Sequence, residues 1–289
     1  MLDKKKVLLQ IDTDVHASSF DSIVAIDAGV DVVLPFSEVD VDNVVDLIHG
    51  AMFTRGHADL CRTAAFFGGS QIALAEQLFA QCKGAFFGPV RVSMMLDPNG
   101  ANTTAAAAVR CVERHLSLAN RKVAIFGGSG PVGSRLAILA SKLGAHVQLC
   151  SRSQDRAEET IEQIGTRANR ELLTAIEVPS DKEALAVAQS TDVVFAAGAA
   201  GVQFLPDGWL DQAVSVAVAV DINAVPPVGL AGIEAMDSGV KRGNDTICYG
   251  AIGVGGLKMR IHKACIKALF ETNNKLFGTH EIHEVAMHF

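Results

Sequence analysis

Gly128, Gly130 and Gly133 stand at the spacing G-x-G-x-x-G, with Ser129, Pro131 and Val132 between them. The pattern does chemistry in one setting. Its first glycine permits a tight turn after a strand, its second lets backbone approach a pyrophosphate, and its third lets the next helix pack on that strand. A helix opening there adds free N–H groups and the positive end of its dipole. The setting is present. Val123-Ala124-Ile125-Phe126 is a short apolar run ended by glycine, which reads as a buried parallel strand. Leu136, Ala137, Ala140 and Leu143 form the stripe of a helix over 134–143, and 145–150 reads as a second strand. The expectation is a dinucleotide site.

The end of the second strand tells which dinucleotide. An NAD site places Asp or Glu about 20 residues on, to bind the ribose 2′-hydroxyl. Here the chain reads Gln148-Leu149-Cys150-Ser151-Arg152-Ser153, with no acid. Ser151 and Arg152 suit a 2′-phosphate, since guanidinium matches that geometry. NADP is favoured, with NAD left open.

Further candidates lie at other strand ends, where ligands bind in open α/β sheets. Ala197-Gly198 follows the strand 192–195, and Gly198 and Gly201 would let backbone lie against a ribose or nicotinamide. Asn223, after the strand 214–220, can donate and accept there, with Pro226-Pro227 stiffening the turn. Lys258 follows a glycine-rich run and is placed one residue into a last long helix, 257–271. A lysine at a helix N-terminus opposes the dipole, which hints at a use. Asp12 and Asp14 form either a carboxylate pair or a strand-end turn. His280, His283, Glu284 and His288 crowd the tail, but without a third ligand elsewhere they read as a solvated terminal helix rather than a metal site. No G-x-S-x-G elbow or paired Cys/His signature points to covalent catalysis.

The elements that must position these residues alternate. Strands are expected at 7–11, 30–36, 63–67 and 90–96, with helices at 20–29, 40–49 and 70–82. Asp97-Pro98-Asn99-Gly100-Ala101-Asn102-Thr103-Thr104 then makes a turn in which Asn102 or Thr103 can cap an alanine-rich helix to about 116. Later come a charged amphipathic helix at 154–164 and a strand–helix unit at 171–179 and 182–189. The fold class is α/β with mostly parallel sheets in two domains. One covers 1–103 and is completed by C-terminal helices, 257–289; the other, 104–256, is a Rossmann-type doubly wound sheet. The special loops are expected to converge on one cleft.

At 289 residues, 49% hydrophobic, the chain has ample core. A net charge of −7 with no basic stripe argues against nucleic acid or an anionic membrane. No apolar run reaches spanning length and the start lacks a signal-peptide core. Six scattered cysteines without C-x-x-C read as reduced, mostly buried thiols of a cytoplasmic protein.

Taken together, several stretches resemble the bacterial NAD(P)-dependent methylene-tetrahydromethanopterin dehydrogenases, some of which also act on methylene-tetrahydrofolate. They are Asp12-Thr13-Asp14, Thr54-Arg55-Gly56, Phe86-Phe87-Gly88-Pro89, the order Asp97-x-Asn99-Gly100-x-Asn102-Thr103-Thr104, Gly128 to Gly133, part of Asp221 to Pro227, and Gly253 to Lys258. The likeness runs from about residue 6 to about 285. It implies an N-terminal substrate domain, a Rossmann domain and a pterin cleft, with cytoplasmic one-carbon and formaldehyde metabolism and a homo-oligomer, a trimer. It places the family's cleft lysine on Lys258 as the catalytic residue. Asp97, Asn102 and Thr103 become candidates for the substrate wall, together with Asp14 and Thr54. Ser153 stands where the NADP-preferring members carry a second basic residue. Two rivals are a shikimate-type dehydrogenase, whose first-domain Lys–Asp pair is not found in this sequence, and a non-enzymatic NADP-binding sensor.

Overall fold

The computed structural model describes residues 4–289. In chain order the elements are β1 (Val7–Asp12), α1 (Ser19–Asp27), β2 (Val32–Phe36), α2 (Val44–Phe53), β3 (Thr63–Gly68), α3 (Ile72–Gly84), β4 (Ser93–Leu96) and α4 (Ala101–Glu113). Then follow β5 (Lys122–Phe126), α5 (Pro131–Lys142), β6 (His146–Ser151), α6 (Gln154–Ile164), β7 (Leu173–Glu177), α7 (Asp181–Ala188) and β8 (Val193–Ala196). The chain closes with α8 (Trp209–Gln212), β9 (Val218–Asp221), β10 (Ser238–Arg242), β11 (Thr246–Tyr249), α9 (Ala251–Ala268), β12 (Leu276–Phe277) and α10 (Thr279–Ala286). The first of its two compact units ends at Thr103 and takes up Met259–His288; the second is Thr104–Lys258 with Phe289.

The first unit holds a wholly parallel sheet in the order β12-β4-β3-β1-β2. Strand β3 is buried along its whole length, as the apolar run Ala64-Ala65-Phe66-Phe67 requires. Helices α2 and α3 bury Ile48, Met52 and Leu78 against Phe67 and Met94. Because β1 pairs with β2 on one side and β3 on the other, the chain reverses its winding at β1. The carboxyl ends of β1 and β3 therefore flank a topological switch point, where such sheets bind ligands.

The second unit is a seven-stranded sheet in the order β10-β11-β9-β8-β5-β6-β7, parallel except for the β10–β11 pair. Reading β7-β6-β5-β8-β9-β11 yields the doubly wound dinucleotide-binding order, with the switch between β5 and β8. Its core gathers Trp209, Phe126 and Leu205 around Ala124, Val194 and Ala219. The Trp209 indole N–H donates to the Ala231 carbonyl at 2.9 Å, so the one tryptophan is buried without an orphaned donor.

Several boundaries differ from the sequence expectation. Helix α2 starts four residues late because the Asp40 carboxylate accepts the Asp42 and Asn43 N–H groups, a turn that competes with helix. Helix α9 starts at Ala251, so the glycine-rich run lies inside it rather than before it. The β10–β11 pair was not anticipated, since its short exposed strand lacks an apolar pattern. The tail is not a solvated helix: α10 buries Ile282 and His283, and β12 pairs with β4. All six cysteines are free thiols, five of them buried. Burial pushes Cys82, Cys150 and Cys248 up to about 12. Among the described residues no helix is long and apolar enough to cross a membrane.

Candidate cofactor and substrate sites

The glycine loop joins β5 to α5 at the switch point of the second unit. Gly127 takes φ +71, and a Cβ on it would lie 2.5 Å from Gly198 in the loop after β8. Gly133 is held as tightly: its Cβ would meet the Gly127 carbonyl at 2.5 Å and Gly128 Cα at 2.6 Å. A Cβ on Gly128 would lie 2.6 Å from Leu149 Cγ of β6. Gly130 is different. With φ −79° and ψ 171°, its Cβ would stand 3.3 and 3.4 Å from the Gly127 and Ala197 carbonyl oxygens, close contacts that a small shift relieves. The fold itself thus tolerates a side chain there better than at Gly127, Gly128 or Gly133.

Several backbone donors of this turn are uncommitted. No side chain caps α5. Among the described residues the N–H groups of Ser129, Val132 and Gly133 have no acceptor; the turn is closed instead by Gly130 N–H to Gly127 at 3.0 Å and Ser134 N–H to Gly130 at 2.9 Å. Converging free amides at the start of a twelve-residue helix are an anion site. Pro131 fits N1, where no N–H is needed. The loop thus fits a dinucleotide pyrophosphate.

At the end of β6, Ser151 is half-buried and its hydroxyl accepts the Ser153 N–H. Ser153 caps α6 through Arg156 N–H, which explains a serine at that position. Arg152 is exposed and has no ion pair among the described residues. A free guanidinium beside a half-buried hydroxyl, with no acid at the strand end, fits a phosphate better than a ribose diol.

Beyond β8 and β9 two loops complete this end of the sheet. The Ala197 N–H donates to Phe126 at 2.8 Å, tying the loop after β8 to β5. Phe204 lies against Gly198 and stacks on Phe126, with ring centroids 5.7 Å apart. Asn223 is 8% exposed, and its amide is spent within its own turn, donating to Pro227 and accepting from Val225. A residue that the sequence shows only as the start of the Asp221 to Pro227 stretch governs this loop. Asp221, 1% exposed, accepts the Asn223 N–H at 2.9 Å and the Leu230 N–H at 2.8 Å, locking both ends. Burial raises its carboxyl above the usual range, outweighing the hydrogen bonds from Asn223, Leu230 and Gly229.

Lys258 is half-buried in α9. Counting from Ala251 it is the eighth residue, two turns in and beyond the first turn where the helix dipole would oppose a lysine. Two of the glycines before it have another reason: Cβ atoms on Gly250 and Gly253 would strike the Glu234 and Asp237 carbonyls, so α9 packs closely on the 234–238 turn there, whereas Gly255 and Gly256 face open space.

In the first unit the structure redistributes the expected substrate wall. Asp97, Asn102 and Thr103 are 0–1% exposed. The Asp97 carboxylate accepts N–H groups from Asn102 at 2.8 Å and Thr103 at 3.0 Å, and the Thr103 hydroxyl at 2.6 Å. Asp97, not Asn102 or Thr103, therefore caps α4. Asn102 donates to Leu96 and accepts from Thr279. The three form an enclosed knot that sets the turn, not a wall. Asp14 is also spent, its carboxylate accepting the Ser70 N–H and hydroxyl at 2.7–3.1 Å. Asp12 likewise serves the turn, accepting from Asp14 and Ser18. Thr54 lies at the other end of the sheet. It closes α2 by donating to Gly50, and its neighbour Arg55 binds the carbonyls of Lys5 and Arg62, just before β1 and β3. Thr54 is thus not brought together with Asp14 or Asp97.

At the carboxyl ends of β1 and β2 the first unit opens into a cavity of about 630 Å³. Thr13, Asp14, Val15, His16, Glu38 and Gln71 are among its lining residues. Among the described residues no three or more His, Cys, Asp or Glu side chains are placed to hold one metal ion.

Comparison with known proteins accords with this geometry. A family model described as "Methylene-tetrahydromethanopterin dehydrogenase, N-terminal" matches residues 19–99. Bifunctional protein MdtA of Methylorubrum extorquens is 40% identical over 284 residues, 98% of each chain. An NAD(P)-dependent methylenetetrahydromethanopterin dehydrogenase of the same organism is 32% identical over 272 residues, 90% of each chain. Among solved structures, shikimate 5-dehydrogenase from Listeria monocytogenes superposes with a TM-score of 0.54 at 14% identity, over 97% of this chain and 96% of that one, which shows a shared fold alone. By its identity to two full-length relatives, the chain belongs to the methylene-tetrahydromethanopterin dehydrogenase family.

Proposed function

We propose that this protein oxidises methylene-tetrahydromethanopterin to the methenyl form with NADP, as a step of one-carbon and formaldehyde metabolism. The observation that carries the cofactor half is the start of α5, where the N–H groups of Ser129, Val132 and Gly133 have no acceptor among the described residues. Family membership carries the substrate half. In this reading the Gly128-Ser129-Gly130-Pro131-Val132-Gly133 turn holds the pyrophosphate. Ser151 and Arg152 hold the 2′-phosphate, and Ala197, Gly198 and Asn223 present backbone to the nicotinamide end. NAD binds without the Arg152 contact and is the weaker cofactor. The first unit takes the pterin.

When bound, NADP supplies a hydride acceptor. Removing hydride from an N–CH2–N bridge leaves an amidinium-like cation and no proton to abstract, so the protein needs no general base. Its residues have to hold the methylene carbon in place and exclude water, which makes positioning the main contribution. Lys258 is assigned to the pterin, orienting it or tuning charge beside the nascent cation. The protein acts in the cytoplasm as a homotrimer, which light scattering on the purified chain tests.

One assay decides the main reading. Purified protein is given methylene-tetrahydromethanopterin or methylene-tetrahydrofolate with NADP or NAD, and shikimate serves as a control. The expected result is a pterin-dependent absorbance change, largest with NADP. NADP binding without turnover of either pterin would make the protein a sensor, and shikimate oxidation would make it the other dehydrogenase.

A further inference from the structure

The strand next to β6 brings a second charge to the cofactor end of the sheet. Strand β7 pairs with β6 in parallel, and the last pair in their register is Ser151 with Glu177. Side chains in register on neighbouring strands share a face of the sheet, and the strands lie about 4.8 Å apart. The Glu177 side chain therefore stands beside that of Ser151. Leu149, two residues earlier on the same face, is the side chain that a Cβ on Gly128 would strike. The face that carries Ser151 and Glu177 is thus the face that meets the glycine turn.

The backbone holds this edge together. The Val178 N–H donates to the Ser151 carbonyl at 2.7 Å, and the Gly128 N–H donates to the Cys150 carbonyl at 3.3 Å. Glu177 itself has no task in the fold. It is exposed, and its carboxylate makes no hydrogen bond or ion pair among the described residues. Nearby acids differ, since Glu158 accepts from Gln154 at 2.7 Å and Glu183 accepts from the Ser180 hydroxyl. Arg152 is exposed and unpaired like Glu177. Two opposite charges therefore stand at the ends of adjacent strands without neutralising each other.

We propose that Glu177 is a specificity-determining residue that narrows the preference for NADP and keeps NAD usable. The inference rests on the reading above, in which Ser151 and Arg152 hold the 2′-phosphate. Preference is a difference between two affinities, and repulsion of one ligand sets it as much as attraction of the other. An NAD site carries its acid at the end of the second strand, and here the carboxylate comes from the strand beside it. Toward a 2′-phosphate Glu177 is a like charge, and toward a 2′-hydroxyl it is a hydrogen-bond acceptor. Both effects lower the ratio of NADP to NAD use, against the pull of Arg152.

The test measures kcat/KM for both dinucleotides with methylene-tetrahydromethanopterin in wild type and Glu177→Gln. Removing one exposed charge a strand away should raise the NADP-to-NAD ratio about three- to tenfold at low salt. High salt should shrink the gain, because exposed charges are screened. Thermal melts of the two proteins should coincide, since the side chain is exposed and unbonded. Calorimetric titration with adenosine 2′,5′-bisphosphate and adenosine 5′-phosphate is the second arm, and it judges Glu177 whatever the substrate. The variant should bind the bisphosphate more tightly and the monophosphate no more tightly than wild type. An unchanged or lower ratio, a gain that salt does not reduce, or a destabilised variant would overturn the assignment. Arg152→Met tests the parent reading, and it should weaken bisphosphate binding about tenfold or more. Unchanged binding there defeats the 2′-phosphate site itself. Weakened binding there, with no change in Glu177→Gln, refutes Glu177 alone.

Discussion

Replacing Gly130 by valine separates what the fold needs from what the ligand needs. The β-region backbone at this residue, φ −79° and ψ 171°, admits a β-branched side chain. Its Cβ would stand 3.3 and 3.4 Å from two carbonyl oxygens, which a shift of a few tenths of an ångström relieves. We therefore expect a stability cost below about 1 kcal/mol, or a melting point lowered by no more than about 2–4 °C. The valine methyls occupy the space assigned to the pyrophosphate. Losing one charge-assisted bond from backbone to phosphate costs about 1.5–3 kcal/mol, so NADP affinity should fall at least 10- to 150-fold. Gly133→Ala is the opposite case. Its methyl would sit 2.5 Å from the Gly127 oxygen and 2.6 Å from Gly128 Cα, atoms that cannot yield without moving β5 or α5. Overpacking of this kind costs about 1–3 kcal/mol or more, so the melting point should drop by about 2–12 °C. Calorimetric titration with NADP and a thermal melt on each variant provide the readouts. Near-normal NADP affinity in Gly130→Val, or a Gly133→Ala protein that melts with wild type, would refute the reasoning.

Three other outcomes are expected. Ser151→Asp should shift preference toward NAD by about tenfold or more in the ratio of kcat/KM values, through repulsion of the 2′-phosphate and a bond to the 2′-hydroxyl; a wild type already better with NAD would show the Ser151-Arg152 reading to be wrong. Lys258→Met should lower kcat/KM for the pterin on the order of 10- to 150-fold while NADP affinity holds, and a variant within twofold of wild type would return Lys258 to the solvated lysines. Asp221→Asn should alter the pH dependence of stability. The folded carboxyl is raised above 3.8 by burial, so its contribution is present below pH 3.8 and is lost as pH rises through the folded value. The variant lacks that loss, and equal slopes for the two proteins in denaturant melts across this window would contradict the assignment.

The glycine turn, the strand before it and the helix Gln154–Ile164 were legible in the sequence because each rests on short-range rules. A tight turn, a four-residue apolar run and a 3.6-residue period are set by neighbours along the chain. Gly127 could have been added, since its strain is local, but its contact with Gly198 spans 71 positions and has no sequence pattern. The α9 boundary was misplaced for the converse reason. Glycines usually break helices, and here Gly253 sits inside one because the 234–238 turn packs where its Cβ would be.

By itself the sequence determined the α/β class, the dinucleotide turn and the lack of an acid after β6, all properties of residue type and near spacing. Only the tertiary structure decided which polar side chains are already used. Asp97, Asn102 and Thr103 look like a binding motif in the chain, yet their lone pairs and protons are spent on one another, on Leu96 and on Thr279, 177 residues away. Asp14 is spent on Ser70, 56 residues away, whereas the Glu38 carboxylate, which no pattern marks, has no partner among the described residues. A carboxylate has a fixed number of acceptor positions, and whether any is left for a ligand depends on partners that folding brings from far along the chain.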